Sequence, residues 1–236
     1  TKLLIIYLFL SVVANSMTLK IETHYSANNP SGQAAAQFAK NVEKFSGGEI
    51  KIEMFYRSSI SGKPSQVWNS ARKGLIDCDF TSGKYQISKN AGFQFVSNII
   101  GGYDTPYQQY ELLDFPGARE KISKLYNKYE MEFIGWWIPG QNSLISTKPL
   151  RDILSLKNFK LRSSKGMESE IFKELGSEIK SIGFGDVPFA LQTGKINGVD
   201  YSYLGNNTAA GFYEESLHTS YPGFHSMPTD HLACNK

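Results

Sequence analysis

Cysteine is almost missing from this chain: its 236 residues hold only Cys78 and Cys234. Two cysteines so far apart permit a disulfide in an oxidising compartment without establishing one, and two buried thiols are the expectation. Histidine is scarce too, with four copies. His218, His225 and His231, with Cys234, invite a zinc reading, but their spacing fits no zinc pattern. Pro222 and Pro228 also break any shared helical face. No G-x-S-x-G, H-E-x-x-H, Walker loop or G-x-G-x-x-G occurs, and Gly183-Phe184-Gly185 has too few glycines to cradle a phosphate. Every positive argument for an enzyme is therefore lacking. The charge has no dominant sign, since 25 Lys and Arg against 22 Asp and Glu leave a net charge of +3. Without a long basic run, no nucleic acid partner is expected. Nor is there an apolar run of the roughly 20 residues that a membrane helix needs.

What is present is a globular composition, 41% hydrophobic and 20% charged. The length suits one large domain or two lobes that each bury a core. Aromatics reach 13%, with 13 Tyr, more than a generic core needs. Tyrosine suits the wall of a small-molecule cleft. At the start, Lys2 precedes an apolar run over residues 3–13 and then Ala14-Asn15-Ser16, the order of a secretory signal. Residues 1–16 are read as that signal, which makes the mature chain exported. At the other end, residues 231–234 are followed by no closing helix, so a missing C-terminal part is expected.

Leu19, Ile21 and Thr23 alternate with Lys20, Glu22 and His24, as in a half-buried strand. Pro30 then opens a helix whose inner face carries Ala35, Phe38, Ala39, Val42 and Phe45, and Gly47-Gly48 ends it. A strand over 50–55, a helix from Pro64 and a strand over 76–80 complete the unit. The order returns later, with strands at 159–162 and 179–182 and helices at 168–175 and 187–192. Both units finish alike, Lys73-Gly74-Leu75-Ile76-Asp77 and Thr193-Gly194-Lys195-Ile196-Asn197. They predict an α/β protein of two parallel-sheet lobes facing each other across a cleft. One continuous doubly wound sheet is the alternative. Helices are expected over 107–114 and 115–129, a strand over 131–138 that crosses between lobes, and a return over 217–224. Lobe 1 takes residues 17–139 and lobe 2 residues 140–218, while 219–236 heads back toward lobe 1. Ligands sit beyond the carboxyl ends of such strands, which puts Tyr25, residues 80–82, Arg162 and Asp200 near the cleft.

Arg72-Lys73-Gly74-Leu75-Ile76-Asp77 follows the pattern R-x-G-x-I-D, and Ala190-Leu191-Gln192-Thr193-Gly194 follows A-L-x-x-G. Phe159-Lys160-Leu161-Arg162 is similar to G-L-K-x-R. With these motifs the sequence resembles the extracytoplasmic solute-binding proteins of TRAP transporters, from about residue 19 to residue 225. Asp200-Tyr201, Asn206-Asn207, Gly211-Phe212-Tyr213 and Tyr221-Pro222-Gly223-Phe224 are similar to the branch of 2-oxo acid and mannitol/chloroaromatic binding proteins. That branch has Glu and Trp where Asp200 and Tyr201 stand. The resemblance implies a periplasmic-binding-protein-like fold that captures a small organic acid, such as a 2-oxo or hydroxy acid, in the periplasm. It implies delivery to the membrane subunits of a TRAP permease, without catalysis, by a monomer or homodimer. It also implies that Arg162 grips the carboxylate. Gln141, Asp200 and Tyr201 would hold Na⁺ or Ca²⁺ where a cation accompanies the ligand, and no other cofactor is required.

The residues themselves add reasons and alternatives. A guanidinium offers a rigid fork that binds a carboxylate through two parallel hydrogen bonds; a surface ion pair is its ordinary use. Asp200 and the Gln141 amide are oxygen donors of the type hard cations take, although by position Asp200 reads as a helix N-cap. Tyr203, Asn206 and His225 are placed to reach the cleft, with packing or capping as the alternative. Of Trp136 and Trp137 one should face the core and the other the cleft or solvent, and Trp137 is counted with the cleft. The rival from another class is a secreted metal-dependent enzyme using the C-terminal histidines.

Overall fold

The computed structural model describes residues 16–97, 99–183, 186–214, 218–221, 223 and 227–236. The signal expected over 1–16 lies outside them except for Ser16. The chain begins β1 (Met17–Thr23), α1 (Pro30–Phe45), β2 (Ile50–Phe55), α2 (Pro64–Arg72) and β3 (Cys78–Phe80). A 3₁₀ turn over Gly83–Gln86, α3 (Gly92–Phe95), α4 (Pro106–Asp114) and α5 (Pro116–Asn127) lead to β4 (Met131–Trp137). The second half brings β5 (Leu144–Ser146), β6 (Lys160–Arg162), α6 (Met167–Glu174) and β7 (Glu178–Lys180). It continues through α7 (Val187–Gln192), β8 (Gly198–Asp200), α8 (Leu204–Ala209) and β9 (His218–Thr219) to β10 (Asp230–Asn235).

Local chemistry sets these boundaries. The Asn29 side chain accepts from the Gly32 N–H at 2.7 Å, and Pro30 occupies the first turn of α1, where no backbone donor is needed. Gly47 and Gly48, both at positive φ, end the helix. At α4, Thr105 and Gln108 satisfy each other's backbone N–H in a capping box.

The strands form two five-stranded sheets, β2-β1-β3-β10-β4 and β7-β6-β8-β5-β9. Two lobes are therefore present, but they are not purely parallel as expected. β1 runs parallel to β2 and β3, and β6 to β7 and β8, while β10 and β5 pair antiparallel with both of their neighbours. The physical reason is the crossing. β4 leaves the first sheet and β5 enters the second; β9 leaves the second and β10 enters the first. In each sheet the entering strand inserts between the β-α-β unit and the leaving strand. Hydrophobic patterning reports which face a residue takes and carries no strand direction.

Each lobe has its own core. In lobe 1, Trp68, Phe93, Tyr126 and Phe133 are buried together, with Trp68 and Phe93 ring centroids 5.5 Å apart, edge to face. In lobe 2, Ile145, Val187, Leu191, Val199 and Phe212 fill one side of the sheet, and Leu144, Phe159, Leu161 and Phe172 form a second cluster. Full burial of each such side chain is worth about 1.5–3 kcal/mol.

Cys78 and Cys234 lie opposite each other on β3 and β10 and form a disulfide with an S–S distance of 2.06 Å. The expectation of two buried thiols is thereby corrected. The two cysteines are 156 residues apart in sequence, and only the pairing of β10 with β3 brings them together.

Candidate functional site

A cleft of about 850 Å³ opens between the lobes, at the carboxyl ends of their central strands. Beyond β1 stand His24 and Tyr25, and the turn after β3 supplies Lys84 and Tyr85. From lobe 2, Arg162 ends β6 and Tyr201 follows β8. Asp230, at the start of β10, completes the wall on the lobe 1 side.

Arg162 is half-buried and held by backbone oxygens. Its Nη1 donates to the Asp200 carbonyl at 3.0 Å and its Nε to the Ile182 carbonyl at 3.4 Å. Two carbonyls thus fix the plane of the guanidinium, and among the described residues Nη2 has no hydrogen-bond partner. A pre-oriented fork with a donor to spare is the arrangement that receives a carboxylate at least entropic cost.

The tyrosines are held protonated. Burial pushes the Tyr201 phenol well above its ordinary value, Tyr85 and Asp230 add to the rise, and Arg162 opposes it. Tyr85 is likewise raised by burial, with Lys84 pulling the other way and Asp230 reinforcing it. Tyr25 is raised by burial and by Asp230, whose Oδ2 accepts its hydroxyl at 2.6 Å. All three phenols stay neutral donors at any physiological pH.

The other expected site residues have various places. Tyr201 and Asn206 line the cleft. Asn206 also clasps the lobes: its Nδ2 donates to Ser31 Oγ at 2.8 Å and to Ser202 Oγ at 3.2 Å, and its Oδ1 accepts from the Ser31 N–H at 3.4 Å. Tyr203 sits beside that clasp, its hydroxyl 3.4 Å from Ser31 Oγ and its ring against Gly140. A side chain at position 140 would meet that ring at under 3 Å, and its φ of +154° already favours glycine. Trp137 stands behind the wall, 5.8 Å from Phe80 between ring centroids, and its Nε1 donates to Asp230 Oδ2 at 3.4 Å. Trp136 faces the other way, onto Phe133. His225 lies outside the described residues.

Asp200 is not an N-cap; Tyr203 occupies that position of α8. Its carboxylate is buried, accepting from Asn142 Nδ2 at 3.5 Å and Ser163 Oγ at 3.2 Å. Gln141 packs beside Gly223. Each Asp200 carboxylate oxygen thus accepts from a neutral side-chain donor. Among the described residues no three His, Cys, Asp or Glu side chains gather to hold a metal. The zinc-enzyme alternative also loses its ligands. Cys234 is in the disulfide, His218 lies in the second sheet, and His231 is buried in lobe 1 between Tyr126 and Asp79.

His24, Lys84, Tyr85 and Asp230 escaped sequence reasoning. The strand-end rule that reached Tyr25 could have found its neighbour His24. Lys84 and Tyr85 lie on a turn just past the 80–82 window, and Asp230 is close only because β10 returns.

Two sheets joined by two crossings thus enclose a tyrosine-lined, cationic cleft at the strand ends. The chain belongs to bacterial extracellular solute-binding protein family 7, whose profile matches residues 21–236; this is a family of binding proteins, not of enzymes. It is 26% identical over 197 residues to a monocarboxylate 2-oxoacid-binding periplasmic protein of a Nostoc species, covering 80% of this chain and 52% of that one. The chain thus spans about half the length of that relative. An apo, open TRAP periplasmic solute-binding protein of Rhodobacter sphaeroides superimposes with a TM-score of 0.72 at 28% identity, covering 93% of this chain and 70% of that one. The sugar acid-binding protein of Advenella mimigardefordensis, in complex with galactonate, gives 0.81 at 21% identity, covering 94% and 71%.

Proposed function

We propose that this protein captures a small organic acid in the periplasm and passes it to the membrane subunits of a TRAP permease. The observation that carries the reading is Arg162, which lines the cleft and is fixed by two backbone carbonyls with one guanidinium nitrogen unpartnered among the described residues. The acids bound by the Nostoc and Advenella proteins support it. The carboxylate is gripped by the guanidinium, and neutral Tyr85 and Tyr201 hydroxyls donate to the remaining oxygens. Closure of the lobes then removes the cleft from water, and the changed surface is what the permease recognises.

The test is calorimetric titration of the purified protein with 2-oxo acids, hydroxy acids, sugar acids and neutral sugars. Acids should bind and neutral sugars should not. Arg162→Lys keeps the charge but loses the fork, and should weaken binding by about tenfold or more. Binding untouched by that change, or confined to neutral sugars, would remove the reading. Running each titration with and without Na⁺ or Ca²⁺ tests whether a cation joins the acid at Gln141, Asp200 and Tyr201.

A further inference from the structure

Lys84 is a second charge in the cleft, and no motif singles it out. It is half-buried on the turn after β3, in lobe 1, while Arg162 stands in lobe 2. Its Nζ lies 5.8 Å from the centre of the Tyr85 ring. Among the described residues it closes no hydrogen bond and no ion pair. An ammonium with no contact partner, facing a cleft, is free to take an anion as one.

The surroundings leave that position open. Burial alone would lower the Lys84 ammonium, yet Tyr85, Glu168, Asp230 and Asp200 act on it from a distance and raise it overall, so it stays charged. Of these carboxylates only Asp230 lines the cleft, and it already accepts from Tyr25 and Trp137. The cleft wall therefore carries Arg57, Lys84 and Arg162 against one carboxylate. His24 adds no charge, because burial keeps its imidazole neutral. Lys84 and Tyr85 from one lobe and Arg162 from the other line the same cleft, so a solute held between the lobes meets both cations.

We infer that Lys84 forms a second anion subsite opposite Arg162, and that the cleft selects an organic acid carrying two anionic groups. One group lies in the planar fork of Arg162, the other against the point charge of Lys84. Because the cations belong to different lobes, a dianion joins the two halves, where a monoanion neutralises only one. This rests on the capture of an organic acid proposed above.

The experiment compares succinate, glutarate, 2-oxoglutarate and tartrate with the monoamide of each, which has nearly the same shape and one charge fewer. Pyruvate and galactonate serve as natural monoanions. At least one diacid should bind about tenfold or more tightly than its monoamide, the gain of one charge-assisted contact. Lys84→Met should bring that ratio near one, and Lys84→Arg should retain most of it. A cooperative melt of both variants shows that the fold is intact. Monoanions bound as tightly as diacids, or a ratio that survives Lys84→Met, would overturn the subsite while leaving organic-acid capture standing. Failure of every acid to bind would instead overturn the capture reading itself, and the subsite with it.

Discussion

His24 sits where β1 gives way to the cleft, its ring 4.1 Å from that of Tyr25 and its Nδ1 buried without a partner among the described residues. Burial holds the imidazole below its ordinary 6.5; Asp230 opposes the shift and Lys84 reinforces it. The folded protein therefore keeps His24 neutral while the unfolded chain takes up a proton first. The stability tied to this residue is complete above the unfolded value and is lost as pH falls from there toward the lowered folded one. The melting temperature should fall more steeply between about pH 7 and 5 in the wild type than in His24→Phe. Equal slopes would show that His24 is not the titrating group. At this scale the sequence revealed those residues that a strand end presents directly. Tyr25 and Arg162 were legible for that reason, and Tyr201 through the resemblance of Asp200-Tyr201 to the family's acidic–aromatic pair. Lys84 was not, because a turn decides where it points, and Asp230 was not, because only the paired sheet brings it to the wall.

Helix boundaries were the most legible elements, since Pro30, Pro64, Gly47 and Gly74 mark them chemically rather than by pattern. α4 shows how much such a signal weighs. Thr105 and Gln108 close its first turn from both sides, at an exposed end with little tertiary support. Thr105→Ala should cost about 1 kcal/mol, read as a lower denaturation midpoint at unchanged slope. No change in midpoint would mean that packing of α4 on α5 alone holds the end in place. Strand direction was the least legible feature. β5 and β9 have three and two residues, too few for any alternation to be read, and their antiparallel placement follows from where the chain arrives.

The molecule as a whole is two lobes tied at two crossings, clasped by Ser31 with Asn206 and by Gln94 Oε1, which accepts from the Met167 N–H at 3.1 Å. The doubled β-α-β unit made both lobes visible in the sequence; the disulfide within lobe 1 was not, because it depends on the pairing of β10 with β3. Closing a 156-residue span in the unfolded chain should contribute roughly 4–5 kcal/mol. Cys78→Ala with Cys234→Ala, or added reductant, should lower the urea midpoint accordingly. An unchanged midpoint would assign the stability of β10 to its hydrogen bonds alone.

The interleaving of strands has a further consequence, for the order of assembly. The second sheet is one unbroken stretch, from β5 to β9, and can close as soon as that stretch leaves the ribosome or the export channel. The first sheet cannot. Its fourth strand is made after the whole of the second sheet, so β3 and β4 have no strand to join them until β10 emerges. Cys78 waits as well, a thiol until Cys234 arrives. The sheet that begins first receives β10 only after the other lobe is made, and oxidation of the Cys78–Cys234 bridge marks the moment when Asp230 joins the cleft wall.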